Sequence, residues 1–296
     1  MFYAKYLFPA LLLLLISSAC QRLVELDLQG QSQMVVSCFL SPEQAEISVS
    51  VSQNQIVGAT GGLSPEDFIV KDAIVQILNL SQGQTLNLNF DPSQGLYLIP
   101  SPDDFLQAQD SFQLLIQHPT LPEVIGRCQI PSAPLQFQIQ LDSVTNDSPF
   151  PDFFCQTTWQ DPQDKRNYYR LIGKIIPDTT FIRREPWFFR WQGTTGNADY
   201  LEDTDFDGEV AIGPSGDLQN VASQLSAVRP PRMSGDSLTV SLLHIDQSYY
   251  RYMRDLRQAR NVDLAFSEPY TIYTNLKGGI GVFAAYHAEE KRLRIR

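Results

Sequence analysis

An all-β protein of two β-sandwich domains is the fold that this chain predicts, and three observations carry it. Short runs of alternating apolar and polar residues recur from Leu23 to the C-terminus, the period that places one strand face in a core and the other in water. Gly, Pro, Asn, Asp and Ser interrupt those runs throughout, as turns between strands require. Only one segment, 247–260, carries apolar residues at helical spacing.

Residues 1–19 read as an export signal. Lys5 precedes the apolar run from Leu7 to Ile16, and Ser17-Ser18-Ala19 then lead to Cys20, the layout of a secretory signal with small residues before its cleavage point. The run is too short to span a bilayer, which takes about 20 residues. A cysteine at the cut is the acceptor for a thioether-linked diacylglycerol, so Cys20 is expected as the lipidated N-terminus. Each buried acyl methylene contributes about 0.8 kcal/mol, and two or three chains give lasting attachment. Gln21 after the cysteine, in place of an aspartate, favours the outer membrane. Residues 20–34 are expected to be a tether and the entry to the first strand.

The first domain is placed at 35–131. About seven strand-like runs lie between Val35 and Ile130, among them Glu46 to Val51, Ala73 to Leu78, Thr85 to Phe90 and Ser111 to Ile116, a count that fits an immunoglobulin-like sandwich. Pro131-Ser132-Ala133-Pro134 then stops the ladder, because proline donates no backbone hydrogen bond. The second, larger sandwich is placed at 135–296, opening on the alternating Leu135 to Leu141. Within it, Tyr249, Met253 and Leu256 at helical spacing predict one amphipathic helix over 247–260, with Asp246 as N-cap. Its aromatic stripe is expected to cover a sheet.

The formal net charge of −11 argues against nucleic-acid binding, which relies on Lys and Arg at phosphates, and against adsorption of the body to anionic lipid. Besides Cys20 there are Cys38, Cys128 and Cys155. Cys38 and Cys128 lie in strand-like runs, and either a disulfide between them or two buried thiols fits the sequence. His118, His244 and His287 are far apart and read as structural or solvent-facing. No nucleophile elbow, metalloprotease helix, phosphate loop or dinucleotide fingerprint is present in the sequence.

Two constellations stand out. In Glu202 to Glu209, Asp203, Asp205 and Asp207 alternate before Gly208, which matches the first half of a calcium loop; Pro214 stands where the closing glutamate would be needed. A hairpin turning at Asp207-Gly208 is the preferred reading of this loop, with Asp203, Asp205 and Asp207 as the calcium alternative and no other cofactor expected. In Trp187-Phe188-Phe189-Arg190-Trp191, the residues Trp187, Phe189 and Trp191 share a strand face. Core packing is the preferred use; Trp187 and Trp191 as a ligand or partner surface is the alternative.

Several stretches together resemble a family of bacterial outer-membrane lipoproteins known as domain of unknown function 4249. They are Asp72-Ala73, Asp161-Pro162 with Asn167 to Arg170, the Asp203 to Gly208 loop, Gly235 to Val240, the Tyr249 to Leu256 helix, and Tyr273 to Leu276 with Gly278 to Phe283. The resemblance implies a companion of a TonB-dependent receptor and transfers no catalytic residue. Asn275 and the glycines up to Gly281 read as serving turns and close backbone approach.

The function expected from these readings is non-enzymatic: a lipid-anchored outer-membrane protein, on the periplasmic or external face, that partners a TonB-dependent receptor in substrate capture, uptake or assembly. A structural or adhesive surface lipoprotein is the alternative, and a carbohydrate-active enzyme a third, less favoured one.

Overall fold

The computed structural model describes residues 32–54, 64–144, 152–163, 165–176, 187–191, 200–221, 235–260 and 271–295. The fold is all-β and sandwich-like, with sixteen strands and one α-helix among the described residues. None of the described helices is long and apolar enough to cross a membrane. Cys20 and the signal lie outside the described residues.

Seven strands form the first half: β1 (Met34–Leu40), β2 (Glu46–Gln53), β3 (Ile74–Asn79), β4 (Gln84–Asp91), β5 (Leu96–Pro100), β6 (Ser111–Gln117) and β7 (Val124–Gln129). They pair as β1-β2-β5-β4 and β3-β6-β7, with β4 also paired to β3. That order is the arrangement of a constant-type immunoglobulin sandwich. Alternation decides what fills it. Met34, Val36, Cys38 and Leu40 of β1, Ile47, Val49 and Val51 of β2, and Phe112, Leu114 and Ile116 of β6 all turn inward to one core.

The second half contains β8 (Leu135–Val144), β9 (Asp152–Gln160), β10 (Tyr168–Ile176), β11 (Trp187–Trp191), β12 (Tyr200–Glu202), β13 (Val210–Ile212), β14 (Gly216–Val221) and β15 (Ser237–Ile245). Strand β9 pairs with β8, β13 and β14, while β10 pairs with β15, β12 and β11. Strand β11 passes between the two groups: Trp187 and Phe188 pair with β10, and Phe189 to Trp191 pair with β14 across a register shift. The core between them holds Phe137, Trp159, Tyr169, Leu171, Phe189, Leu238 and Val240.

The last strand, β16 (Gly279–Arg294), belongs to both halves. Residues Gly279 to Ala285 pair in parallel with β1, and Tyr286 to Arg294 pair antiparallel with β15. Sixteen residues extend over roughly 50 Å at strand rise, enough to edge two sandwiches. Residues beyond 275, which the sequence places with the second domain, therefore contribute Leu276, Phe283 and Ala285 to the first core. Close approach sets the residue types here. Gly281 has φ of +114°, and a Cβ there would collide with the Val36 carbonyl, so only glycine fits without strain.

The edge of β16 opposite β1 is closed by side chains. Asn275 accepts from Phe283 N–H at 3.0 Å and donates to Phe283 C=O at 2.7 Å, taking the place of a neighbouring strand. Asp246 accepts from Ala285 N–H at 2.9 Å with one oxygen and from Tyr249 N–H at 2.7 Å with the other. The second bond caps helix α1 (Gln247–Arg260) as the sequence expects. Capping and sheet closure thus share one carboxylate. The helix lays Tyr249 against Val282 and Ala284 of β16, with Tyr252 and Met253 beside them.

Asn275→Ala leaves both polar groups of Phe283 without their partner, and urea unfolding is expected to show a loss of about 2–4 kcal/mol. Burial pushes the Asp246 carboxyl up to about 7, against the hydrogen bonds from Tyr249 and Ala285. The folded state holds that proton more tightly, so this contribution to stability is full below the ordinary aspartate range and is lost as pH rises through 7. Measured from pH 4 to 8, the wild type is expected to lose stability relative to Asp246→Asn.

Candidate functional site

The alternating aspartates meet a different partner from the one their spacing implies. Asp203 opens a 3₁₀ turn over Asp203–Asp205, and Gly208 follows with φ of +74°. The loop joins β12 to β13, yet these two strands pair with β10 and β9 rather than with each other. It is therefore a crossing between two sheets, which corrects the hairpin reading. The Asp-Gly signal sets the local turn; the pairing of its flanks is decided by β9 and β10, both distant in sequence.

Asp161 at the end of β9 organises this crossing. Its Oδ1 accepts from Tyr169 Oη at 2.6 Å, and its Oδ2 accepts from Gly208 N–H at 3.1 Å. Its own N–H donates to Glu209 C=O at 3.0 Å. Asn167, just ahead of β10, donates from Nδ2 to Pro162 C=O and Lys165 C=O at 3.0 Å, while its N–H donates to Asp203 Oδ2 at 2.6 Å. Asp161, Asn167 and Asp203 are all buried. Burial first, and the charges of Asp161 and Asp207 after it, raise Asp203 above the ordinary aspartate range.

Asp161, Asp203 and Asp207 each place an oxygen within 4.8 Å of the others, so these three are the residues that could hold a metal ion. Of the three aspartates read from the sequence, Asp203 and Asp207 are brought together and Asp205 is exposed outside the group. In a calcium loop the alternate carboxylates converge on an ion; here the 3₁₀ turn carries Asp205 away, and Asp161 arrives from the end of another strand. The oxygens of Asp161 already accept from Tyr169 and Gly208, so the cluster also serves as a polar lock between β9, β10 and the crossing.

The lock extends to His244 of β15. Its ring stacks on Tyr169 with centroids 5.0 Å apart, Nδ1 lies 2.9 Å from Ser132 C=O, and Nε2 lies 3.2 Å from Asn167 Oδ1. Both ring nitrogens thus face oxygen acceptors, which favours the proton. Burial works the other way and pushes the ring down to about 4. Tyr169 is held well above the ordinary tyrosine range by burial and then by Asp161. Asp161, Asn167, Tyr169 and His244 escaped motif reading because no local spacing links them. The family resemblance alone collected Asp161 and Asn167 to Arg170.

Phe189 is buried and its ring lies 5.0 Å from that of Trp191. A Cβ on Gly173 or Gly216 would overlap the Phe189 ring, so these glycines make its seat. Trp191 packs half-buried against the second core. Trp187 stands in β11 opposite Ile175; its side chain lies outside the described residues. Cys38, Cys128 and Cys155 are free thiols. Burial raises all three and takes Cys155 up to about 12, which keeps them protonated and poor nucleophiles.

Asp161→Ala strands the donors of Tyr169 and Gly208 and is expected to cost about 3 kcal/mol, against about 1 kcal/mol for Tyr169→Phe, in chemical denaturation. Any rise in melting temperature with millimolar calcium is expected to vanish in Asp161→Asn and to persist in Asp205→Asn. Low His244 affinity for protons means that stability is lost as pH falls from 6.5 through 4, and His244→Gln is expected to remove that loss.

No curated protein matches the chain. The family model described as domain of unknown function (DUF4249) matches residues 22–292, nearly the whole sequence. On that match the chain belongs to the DUF4249 family.

Proposed function

We propose that this chain is a non-enzymatic, lipid-anchored protein of the outer membrane that docks on a TonB-dependent receptor and assists substrate capture, uptake or assembly. The observation that carries the reading is the segment from Lys5 through the apolar Leu7 to Ile16 and the small Ser17-Ser18-Ala19 to Cys20, whose order suits export, cleavage and lipidation at one cysteine. The body supports it in a second way. Its polar groups around Asp161 are consumed in holding strands together, and its cysteines are protonated by burial, so the best-defined buried chemistry acts on the fold. A body of two sandwiches that share strand β16 suits a protein that holds a surface beside a membrane partner.

Purification of the tagged full-length chain in mild detergent tests the partnership, with a β-barrel receptor expected among the recovered proteins; recovery of the lipoprotein alone would count against it. Cys20→Ala is expected to abolish incorporation of labelled palmitate and to move the protein from the membrane fraction to the soluble fraction, with no change in the melting temperature of the body.

A further inference from the structure

Strand β8 presents an open edge. It pairs with β9 along one side, and the bonds on the far side of β9 show which backbone groups that pairing uses. Gly213 N–H donates to Thr157 C=O at 2.9 Å and Asp161 N–H donates to Glu209 C=O at 3.0 Å, so Thr157 and Trp159 point toward β13 while Gln156 and Thr158 point toward β8. Gln138 and Gln140 stand opposite Thr158 and Gln156 and direct their backbone groups to β9. Ile139, Leu141 and Ser143 turn theirs outward, where no partner meets them among the described residues.

Edges of this kind are commonly guarded by Lys, by Pro or by a covering segment, because they template pairing with another chain. The nearby edge of β16 is guarded in this way: Lys291, Arg292 and Arg294 occupy it, and Glu43 accepts from Ala288 N–H at 3.2 Å. Strand β8 has no such guard. Its sequence from Leu135 to Val144 contains no Lys, Arg or Pro, and its register shift is confined to Leu135 to Gln138, so the ladder beyond is regular.

A cleft of about 570 Å³ lies beside this edge, between β8 and the end of β16. Phe137, Ile139 and Leu293 give it an apolar lining, and Glu289, Lys291 and Arg292 charge its β16 side. Glu289 and Lys291 neutralise each other at 2.7 Å. Glu290, next to Arg292, is engaged by Lys174 at 3.6 Å. Arg292 is exposed and has no ion pair among the described residues, so it leaves this cleft with a net positive charge.

We propose that the β8 edge accepts an extended segment of a partner protein as an added strand, with apolar side chains at alternate positions entering the cleft over Phe137, Ile139 and Leu293 and an acidic side chain reaching Arg292. Backbone bonds to Ile139, Leu141 and Ser143 supply the pairing and the cleft selects the sequence, the division of roles found when a peptide extends a sheet. A second copy of this chain fits less well. Its β8 brings Asp142 as the one acid, and a net charge of −11 on each copy opposes association. The assignment goes beyond the receptor partnership and does not depend on it, since it is a property of this edge and holds for any donor of that chemistry.

The peptide acetyl-Thr-Val-Glu-Val-Thr-Val-Thr-amide, titrated into the full-length chain in detergent and followed by hydrogen exchange with mass spectrometry, provides the test. A peptide with Lys in place of Glu is the control. Saturable binding is expected, with slowed exchange in β8 and the control at least about tenfold weaker through loss of the charge-assisted bond. Ile139→Pro removes an outward N–H while sparing the bonds to β9 and is expected to abolish binding. Arg292→Glu leaves the edge in place and is expected to weaken the Glu peptide at least about tenfold. No saturable binding at millimolar peptide, protection centred on another strand, unchanged affinity in Arg292→Glu, or unchanged binding in a folded Ile139→Pro protein would each overturn the assignment. So would a dimer of the chain alone that Ile139→Pro dissolves, since the edge would then belong to a second copy.

Discussion

Strand β16 is the constraint on which the rest of the molecule depends. A strand has two edges, and each backbone N–H and C=O along them needs a partner when buried. Along Gly279 to Ala285 one edge is taken by β1, so the other must be satisfied without a strand. Asn275 does this for Phe283 and Asp246 does it for Ala285. Those two side chains allow β15 to stop at Ile245 and the chain to turn into a helix. The helix then has an apolar sheet surface to cover, made of Val282 and Ala284. One strand therefore sets the sheet path, the helix start and the junction of the two sandwiches.

The same seam explains where the polar groups sit. The Asp161 lock lies at the end of β10 and β15 nearer the crossing, where it ties β9 to the sheet that β16 edges. A cleft lined by Arg170 lies on the other side of β10, facing β1 and β2. Buried titrating groups at the lock and at the β16 edge pull in opposite directions. Asp246 favours the folded state at lower pH and His244 favours it at higher pH, because burial penalises the charged form of each. Their overlap between pH 4 and about 7 flattens the net response of the wild type, which is why single variants are informative.

Much of the fold was legible in residues 35–131, since the strands there are amphipathic and two-residue alternation has only one cheap arrangement against a core. The helix was legible for the same reason, with Asp246 visible as its cap. The acidic loop was legible only as a turn. Its flanks alternate like hairpin strands, but β12 and β13 find partners contributed by residues 152–176, and no local pattern encodes that choice. Asp161 was likewise invisible as a member of the cluster, because carboxylates from separate strands meet only in space. Arg170 and the serines that line its cleft, Ser37, Ser48 and Ser50, stood in ordinary strand patterns, where a polar face reads as solvated.

By itself the sequence determined the all-β class, the seven strands of the first sandwich, the position and cap of the helix, and the export and lipidation expectation at Cys20. These follow from local chemistry: side-chain period, proline and glycine stereochemistry, and the order of charge, apolar run and small residues. Tertiary structure decided that the final strand runs through both sandwiches, that Asp161 replaces Asp205 in the acidic group, and that Arg170 and the serines of β1 and β2 line one cleft. Each of these depends on which edge pairs with which across tens to hundreds of residues, and backbone hydrogen bonds are the same for every sequence. Local pattern fixes the strands, but only their packing selects their neighbours.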